Sequence, residues 1–204
     1  MHELQLPLSD ADIRALHVGE EVSLSGTIVT GRDAAHTWLL GARRTEVADL
    51  LRGSLLYHCG PVVSKSAAGW SFVAAGPTTS IREEPYEAEV IKNYGLRGVI
   101  GKGGMGPKTL AALQAHGAAY FHAIGGLATL IAQSVHRVRQ VFMLEEFGVP
   151  EALWVIDVQD FRALVTMDAH GHSWHDTIRE SSEGMAQQLL QTPRKKPQEN
   201  SVRP

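Results

Sequence analysis

Two threonine hydroxyls and a guanidinium lie close together in the sequence at residues 76–82, GPTTSIR. The glycine and the proline at its start predict a turn, which would carry the side chains of Thr78 and Thr79. Such hydroxyls often bond to their own backbone, but Arg82 follows so soon that guanidinium and hydroxyls are expected to face one small volume. That combination is typical of a site that binds a carboxylate.

A second turn, residues 101–106 with the sequence GKGGMG, adds an ammonium group at Lys102. It fits the pattern G-x-G-x-x-G between a predicted strand and a predicted helix, which suggests a dinucleotide site. The next predicted strand, residues 118–124, lacks the acidic residue that would hold a ribose, which argues against that site. Two interpretations remain: a turn that needs glycine for structural reasons, or a loop that lets Lys102 approach a carboxylate. Arg32, at a predicted strand-to-helix turn, is a further candidate for binding an anion.

Other reactive side chains point less clearly to a site. His170, His172 and His175 form the pattern H-x-H-x-x-H, whose spacing could suit a metal. A loop that enters a helix need not bring three imidazoles together, and no carboxylate is paired with them in the sequence. Cys59 is interpreted as a small packing residue, because adjacency to His58 in sequence does not place a thiol against its base. We therefore predict no metal site in this chain.

Composition argues against several classes of protein. The 19 basic and 22 acidic residues give a net charge of -3, which provides no field to attract nucleic acid. No apolar run approaches the roughly 20 residues that span a bilayer, and the first residues lack the pattern of a secretory signal, so a cytoplasmic protein is expected. With one cysteine in 204 residues, the chain cannot form an internal disulfide or ligate an iron–sulfur cluster by itself.

The elements around the candidate residues alternate between strands and helices, which predicts an α/β fold. A strand at residues 22–29 leads to Arg32, and Asp33 caps a helix that runs to about Leu51. Short strands within residues 54–75 precede the GPTTSIR turn. A helix over residues 107–116 follows the glycine loop, bounded by a proline at its start and a glycine just past its end.

The last third of the chain is predicted to complete the sheet with separate strands at residues 154–158 and 163–167. A final helix begins at Ser173, which forms a capping box with an aspartate three residues later. This helix is expected to bury one apolar face. The face consists of Trp174, Ile178, Met185 and Leu189. We predict one domain over residues 1–190 and a disordered tail over residues 191–204.

Five segments together resemble the β subunit, or C-terminal domain, of the class I iron–sulfur hydro-lyases, which comprise class I fumarase and L(+)-tartrate dehydratase. They are SGTIVTGRDAAH at 25–36, GP at 60–61, GPTTSIR at 76–82, GKGGMG at 101–106 and LWV at 153–155. The resemblance implies a swivelling β/β/α domain, like the C-terminal domain of class I fumarase, that closes over a 4Fe–4S cluster. Three cysteines of a separate α subunit would hold this cluster, in an αβ heterodimer or an α2β2 tetramer.

The resemblance also implies a role for each site residue. Arg32, Arg82 and Lys102 would bind the substrate carboxylates, Thr79 would line the substrate site, and Thr78 would be the general base. The cations suit this chemistry, because dehydration of a 2-hydroxydiacid requires loss of a proton next to a carboxylate. A histidine such as His58 is the alternative base, since the pKa of an imidazole lies nearer the operating pH.

The implied activity is the reversible hydration of fumarate to malate by a hydro-lyase that is active only with its α subunit. The segment TGRDAAH is similar to fumarases, whereas SIREEP at residues 80–85 departs from the G-R-M-D of typical fumarases towards tartrate dehydratases. The alternative is therefore the β subunit of L(+)-tartrate dehydratase, which converts tartrate to oxaloacetate. An alternative of another class is a stand-alone binding protein for small dicarboxylates.

Overall fold

A computed structural model describes residues 1–41 and 44–191 of the chain. Strands and helices alternate through most of it, as the sequence predicts. The strands are β1 (His2–Gln5), β2 (Glu21–Thr30), β3 (Leu55–Tyr57), β4 (Val62–Ser66), β5 (Gly69–Ala74), β6 (Gly98–Gly101), β7 (Ala119–His122), β8 (Val135–Phe142) and β9 (Leu153–Met167). The helices are α1 (Asp10–Arg14), α2 (Asp33–Gly41), α3 (Thr45–Leu51), α4 (Glu87–Tyr94), α5 (Pro107–His116), α6 (Ala128–Gln133), α7 (Leu144–Phe147) and α8 (Trp174–Gln191), with a 3-10 helix at Ser80–Glu83.

The main sheet has seven strands in the order β1-β2-β3-β6-β7-β9-β8. Strands β2, β3, β6 and β7 run parallel, and β9 pairs antiparallel with β7. Strand β9 also pairs antiparallel with β2, for example Val155 with Val29, so the sheet closes on itself as a small barrel. The result is a mixed α/β fold in which four parallel strands end at the same edge.

Alternate residues of the strands pack into two apolar clusters, one on each face of the sheet. On β3, Leu55 and Tyr57 belong to the first cluster, and Leu56 belongs to the second. Helices α2 to α5 cover the second cluster with side chains such as Leu39 and Leu113. Burial on both faces explains why these strands appear in the sequence as short apolar runs without strict alternation.

The β4–β5 hairpin forms a separate two-stranded sheet and leads directly into residues 76–82. Its aromatic side chains pack edge to face on buried Trp154, with ring centroids at 5.3 Å for Trp70 and 5.8 Å for Phe72. The indole N–H of Trp154 donates to the carbonyl of Val149 at 3.0 Å. The two ring contacts with Trp154 hold the hairpin, and with it the start of the turn at residues 76–82, against the barrel.

Two local predictions are wrong. The helix predicted from Asp33 to Leu51 is interrupted, because α2 ends at Gly41 and α3 begins at Thr45. The two strands predicted near the C-terminal end are one strand, β9, since it is long enough to pair with β2, β7 and β8 along its length. Asp160, at the point where the prediction placed a break, has a φ of 54°.

The predicted apolar face of the last helix is exposed rather than buried. Trp174 packs against Gly19, but it is 38% exposed, and exposure rises to 68% at Leu189. Helix α8 therefore touches the domain mainly at its first turn, and none of the described elements covers the rest of its apolar face. The predicted tail is largely outside the described residues, since 192–204 are not described. None of the described helices combines the length and apolar character needed to cross a membrane.

Candidate functional site

Strand direction brings the predicted site residues to one edge of the barrel. Arg32 follows the carboxyl end of β2, and Lys102 follows that of β6. Because parallel strands expose their carboxyl ends at the same edge, residues that lie far apart in sequence become neighbours there. Residues 58–60, after β3, complete the row between them, since β3 lies between β2 and β6.

The turn that carries Thr78 and Thr79 is held between β3 and β6 by backbone hydrogen bonds. The N–H of Thr78 donates to the carbonyl of His58 at 2.7 Å, and Pro77 pairs with Cys59 in an isolated bridge. On the other side Thr79 forms a bridge with Lys102. Thr78 is half-buried and Thr79 is exposed, so the threonine turn is fixed between the residues after β3 and the glycine loop while one face of it remains accessible.

Arg32 lies over the loop that follows β3. A Cβ atom placed on Gly60 would be 2.7 Å from Nη1 of Arg32, which shows that the guanidinium packs directly on this glycine. The Nε atom lies 3.3 Å from Oε1 of Glu151, without the alignment of a hydrogen bond. The other carboxylate oxygen of Glu151 accepts from the N–H of Ala34 at 3.1 Å. Glu151 therefore supports the Arg32 turn, a role that the sequence analysis missed.

Arg82 lies on the 3-10 helix and forms an ion pair with Asp33. Its side chain is 49% exposed. The sequence analysis expected Arg82 to face the same volume as the hydroxyl of Thr78, and the pairing with Asp33 means that a substrate carboxylate would have to share or replace this partner. A function of Arg82 in binding substrate stays a prediction.

Lys102 runs along the segment that follows β7. A Cβ atom on Gly125 would lie 3.2 Å from Cδ and 3.8 Å from Nζ of Lys102. None of the ion pairs among the described residues involves Lys102, so its charge is free to meet an anion. Gly103 and Gly104 have φ values of 83° and 78°, a backbone conformation that requires glycine or strains any other residue.

The amino end of α5, where a dinucleotide phosphate would bind, is already occupied. The carboxylate of Glu84 accepts hydrogen bonds from the N–H groups of Gly106 at 2.8 Å and Lys108 at 2.9 Å. It also accepts from the hydroxyl of Thr109 at 2.6 Å. A phosphate at this position would meet a carboxylate of the same charge, so the glycine loop of this structure does not form a dinucleotide site.

Five polar side chains behind the turns form what we call the buried network: Tyr120, Ser80, His58, Glu87 and His36. All five are fully buried. The hydroxyl of Tyr120 donates to Ser80 Oγ at 2.8 Å, and Ser80 Oγ lies 2.9 Å from Nδ1 of His58. Oε2 of Glu87 lies 2.9 Å from Nε2 of His58 and 2.8 Å from Nε2 of His36. Of these five, only His58 was expected at the site, as the alternative base, although His36 follows Arg32 by one helical turn.

The buried network contains separated charge. Burial alone lowers the pKa of His36, but the nearby carboxylate of Glu87 raises this pKa to about 9. Burial alone raises the pKa of Glu87, but its two imidazole neighbours hold this pKa at about 2. Burial lowers the pKa of His58. At neutral pH an imidazolium at His36 therefore faces a carboxylate at Glu87, beside a neutral His58.

Glu83 is a second buried carboxyl group beside this network. Neither of its oxygens has a hydrogen-bond partner among the described residues, and Oε2 lies 3.5 Å from Nδ1 of His36. Burial raises the pKa of Glu83 to about 7, against the opposing effect of His36. The glutamates at 83 and 87 are one helical turn apart, which is the sequence signal that could have identified the pair.

Neither reactive neighbour in the loop after β3 is placed to act on a substrate. The ring of His58 is fully buried, with one nitrogen bonded to Ser80 and the other to Glu87. Cys59 is also fully buried, and burial raises the pKa of its thiol to about 12. A thiol that stays protonated and inaccessible does not fit a cluster ligand, and it is the only cysteine of the chain.

The three C-terminal histidines do not converge on a common point. His172 pairs with Asp168 at 3.1 Å, whereas Nε2 of His170 lies 3.0 Å from the carbonyl of Arg14. Nε2 of His175 lies 3.0 Å from the hydroxyl of Thr166. Each imidazole thus has a separate local partner, as expected for residues that stabilise the segment after β9.

A groove of about 650 Å³ lies between α6 and the strands β8 and β9. Its lining includes the exposed apolar side chains of Ile124 and Leu130 and contains none of the predicted substrate residues. The groove begins next to Gly125, against which Lys102 packs. The candidate site is therefore an open edge of the barrel with an apolar surface beside it.

Most of this chain is similar in sequence to known proteins. Over 180 residues it is 51% identical to a Geobacillus stearothermophilus protein named as a class I fumarate hydratase. The aligned region covers 88% of this chain but 34% of that protein. It is 39% identical to proteins named as L(+)-tartrate dehydratase subunit beta in Methanocaldococcus jannaschii, over 89% of that protein, and in Escherichia coli K12, over 84% of it. The chain thus spans about a third of the fumarate hydratase relative. A model of the family described as Fumarase C-terminus matches residues 2–178, a range that contains every residue of the barrel edge, and the chain belongs to this family.

Proposed function

We propose that this chain is the β subunit of a hydro-lyase that reversibly hydrates fumarate to malate, and that it supplies the substrate-binding half of the active site. The observation that supports this most strongly is the meeting of Arg32, Thr78 and Lys102 at one edge of the barrel, on turns tied together by backbone hydrogen bonds. Two cations and a hydroxyl on neighbouring turns suit a dicarboxylate whose neighbouring carbon gives up a proton.

The chain's residues do not fit a 4Fe–4S cluster, since Cys59 is buried and alone. We therefore propose that a separate α subunit holds the cluster and completes the site, in an αβ heterodimer or an α2β2 tetramer. The subunit names of the tartrate dehydratase relatives support a partner of this kind. An open site with an exposed apolar groove beside it is also what a half-site needs, and a swivelling movement of this domain would close it over the partner.

In this proposal each residue of the edge has one task. Arg32 and Lys102 bind carboxylates of the substrate, Arg82 joins them when its ion pair with Asp33 opens, and Thr79 lines the site. In the dehydration direction Thr78 accepts the proton from the carbon next to a carboxylate, and the hydroxyl leaves from the adjacent carbon. A threonine hydroxyl is a weak base when free, so the partner must provide part of the environment that activates Thr78.

Substrate choice is tested in the enzyme assembled with its α subunit. We expect a higher kcat/KM for fumarate or malate than for L(+)-tartrate, because the chain is more similar to the fumarate hydratase relative than to the tartrate dehydratase relatives. The competing candidate is tartrate dehydration, favoured by the fact that those relatives are separate subunits of similar length. A kcat/KM at least ten-fold higher for tartrate would establish that candidate, since one bonded hydroxyl can discriminate by about this factor or more.

A further inference from the structure

The hydrogen bonds of the buried network are satisfied when Glu87 is ionised and each ring nitrogen of His36 carries a proton. Oε2 of Glu87 meets a nitrogen of His36 and a nitrogen of His58. An ionised carboxylate accepts from both, whereas a protonated Oε2 would have to donate to one ring and accept from the other. The other nitrogen of His36 lies 2.8 Å from the carbonyl oxygen of Arg32, which can only accept. With Glu87 ionised, as the lowered pKa of its carboxyl group indicates, His36 donates from both nitrogens.

The proton arrangement at the other end of the network follows from the ionised Glu87. His58 donates from Nε2 to the carboxylate, so its Nδ1 accepts from the hydroxyl of Ser80. Ser80 Oγ in turn accepts from the hydroxyl of Tyr120. Every bond then has one donor and one acceptor, and a buried network that is satisfied in this way is rigid.

Three members of the network, His36, His58 and Ser80, are each one hydrogen bond away from a predicted substrate residue. His36 donates to the carbonyl of Arg32, and the backbone carbonyl of His58 accepts from Thr78. The backbone N–H of Ser80 donates to the carbonyl of Lys102 at 3.0 Å. Three turns that follow different strands are thus attached to the same buried network.

Gly101, the first glycine of the loop, leaves room for the buried network. A Cβ atom on Gly101 would lie 1.9 Å from Oγ of Ser80 and 3.0 Å from the hydroxyl of Tyr120. A side chain at this position would displace both hydroxyls. The glycine that suggested a nucleotide site in the sequence therefore has another function, which is to let the network pass beneath the loop.

We infer that the buried network is the positioning device of the substrate site. It holds Arg32, Thr78 and Lys102 in fixed positions relative to one another while each ring nitrogen of His36 carries a proton. The inference deepens the proposed function and rests on it for the assignment of these three residues to a substrate site. The groups that face His36 are the carboxylates of Glu87 and Glu83 from the segment that ends in α4, and His58 after β3. On the side of α2, the charge of Asp33 is paired with Arg82.

The protonation of His36 can be measured without any assay of activity. In the full chain with ¹⁵N-labelled histidine, we expect both ring nitrogens of His36 to be protonated at pH 7.5 and to titrate near pH 9. In Glu87→Gln the ring should become neutral at pH 7.5, because the carboxylate that holds the proton is gone. A neutral His36 ring in the unchanged chain at pH 7.5 would overturn the inference. One tightly bound zinc ion per chain, lost in His36→Gln, would overturn it as well, since the ring nitrogens would then bind metal instead of protons.

Positioning is tested by removing one hydroxyl from the far end of the network. In Tyr120→Phe we expect the hydrogen-exchange protection of the Thr78 and Ser80 amides to fall about two- to ten-fold, the factor that corresponds to one net hydrogen bond. Tyr94→Phe is the matched control, because Tyr94 is also buried, and its hydroxyl donates to the carbonyl of Leu39 outside the network. Equal loss of protection in both variants would show that the network has only a general structural effect.

The same variants connect the network to turnover in the enzyme assembled with its α subunit. Tyr120→Phe should lower kcat/KM by a similar two- to ten-fold, because it loosens the turn of the base as well as the turns of the cations, whereas Tyr94→Phe should leave kcat/KM unchanged. An unchanged kcat/KM in Tyr120→Phe, despite lost amide protection, would overturn the positioning role. If the unchanged enzyme turns over no dicarboxylate while His36 titrates as expected, the proposed function fails and the proton arrangement stands.

Discussion

Replacing Thr78 by alanine is expected to lower kcat of the assembled enzyme by about 100- to 10,000-fold, the range that a general base contributes. The KM should change little, because the side chain acts on the reacting carbon and the carboxylates keep their cations. The turn itself should survive, since the contact that holds it to His58 is made by the backbone N–H of Thr78. Steady-state kinetics at saturating fumarate measure this loss.

Two variants serve as controls for Thr78→Ala. Thr78→Ser retains a hydroxyl at the same position and should recover most of the lost rate. Thr79→Ala removes the neighbouring, exposed hydroxyl and should affect KM more than kcat. Exchange of deuterium from solvent into C3 of malate reports the proton transfer directly. If this exchange survives in Thr78→Ala and disappears in His58→Gln, the base is His58 and the assignment to Thr78 is wrong.

Removal of the ammonium group of Lys102 should have the second largest effect. Lys102→Ala is expected to lower kcat/KM by about 10- to 150-fold, since a charge-assisted contact to a carboxylate is worth about 1.5–3 kcal/mol. Arg32→Ala should show a loss of the same order. Arg82→Ala should cost less, because Arg82 already has Asp33 as a partner and half of its side chain is in solvent.

Lys108→Ala is the matched control for Lys102→Ala. Lys108 is an exposed lysine in the first turn of α5, and the contact of this residue with Glu84 is made by its backbone N–H. The substitution should leave kcat/KM within about two-fold of the unchanged enzyme, as is usual for an exposed side chain. Equal losses in the two lysine variants would mean that the overall charge of this region matters and that Lys102 has no specific contact.

The sequence predicted well those features that depend on near neighbours in the chain. Helix α5 begins at Pro107 and is followed by Gly117 in the left-handed conformation, as predicted. Such boundaries follow from the hydrogen-bonding needs of helix ends and from the backbone freedom of glycine, which are local properties. The candidate turns were identified for the same reason, since each combines its polar side chains with glycine or proline within a few residues.

Features that depend on distant partners were not predictable. Glu87 meets His58 across 29 positions and His36 across 51, and nothing in the spacing of these residues indicates a shared site. The continuity of β9 was missed because it results from pairing with three other strands. The exposed face of α8 was missed because an apolar stripe indicates that a surface can be buried, and it does not say whether another element covers it.

The central claim is that this chain contains half of an active site. It is tested most directly by anaerobic turnover of fumarate, measured for the chain alone and for the chain mixed with the three-cysteine α subunit. We predict no turnover by the chain alone and turnover with both chains, lost again when one cluster cysteine of the α subunit is replaced. Turnover by the chain alone, or equal turnover by the α subunit without this chain, would contradict the claim.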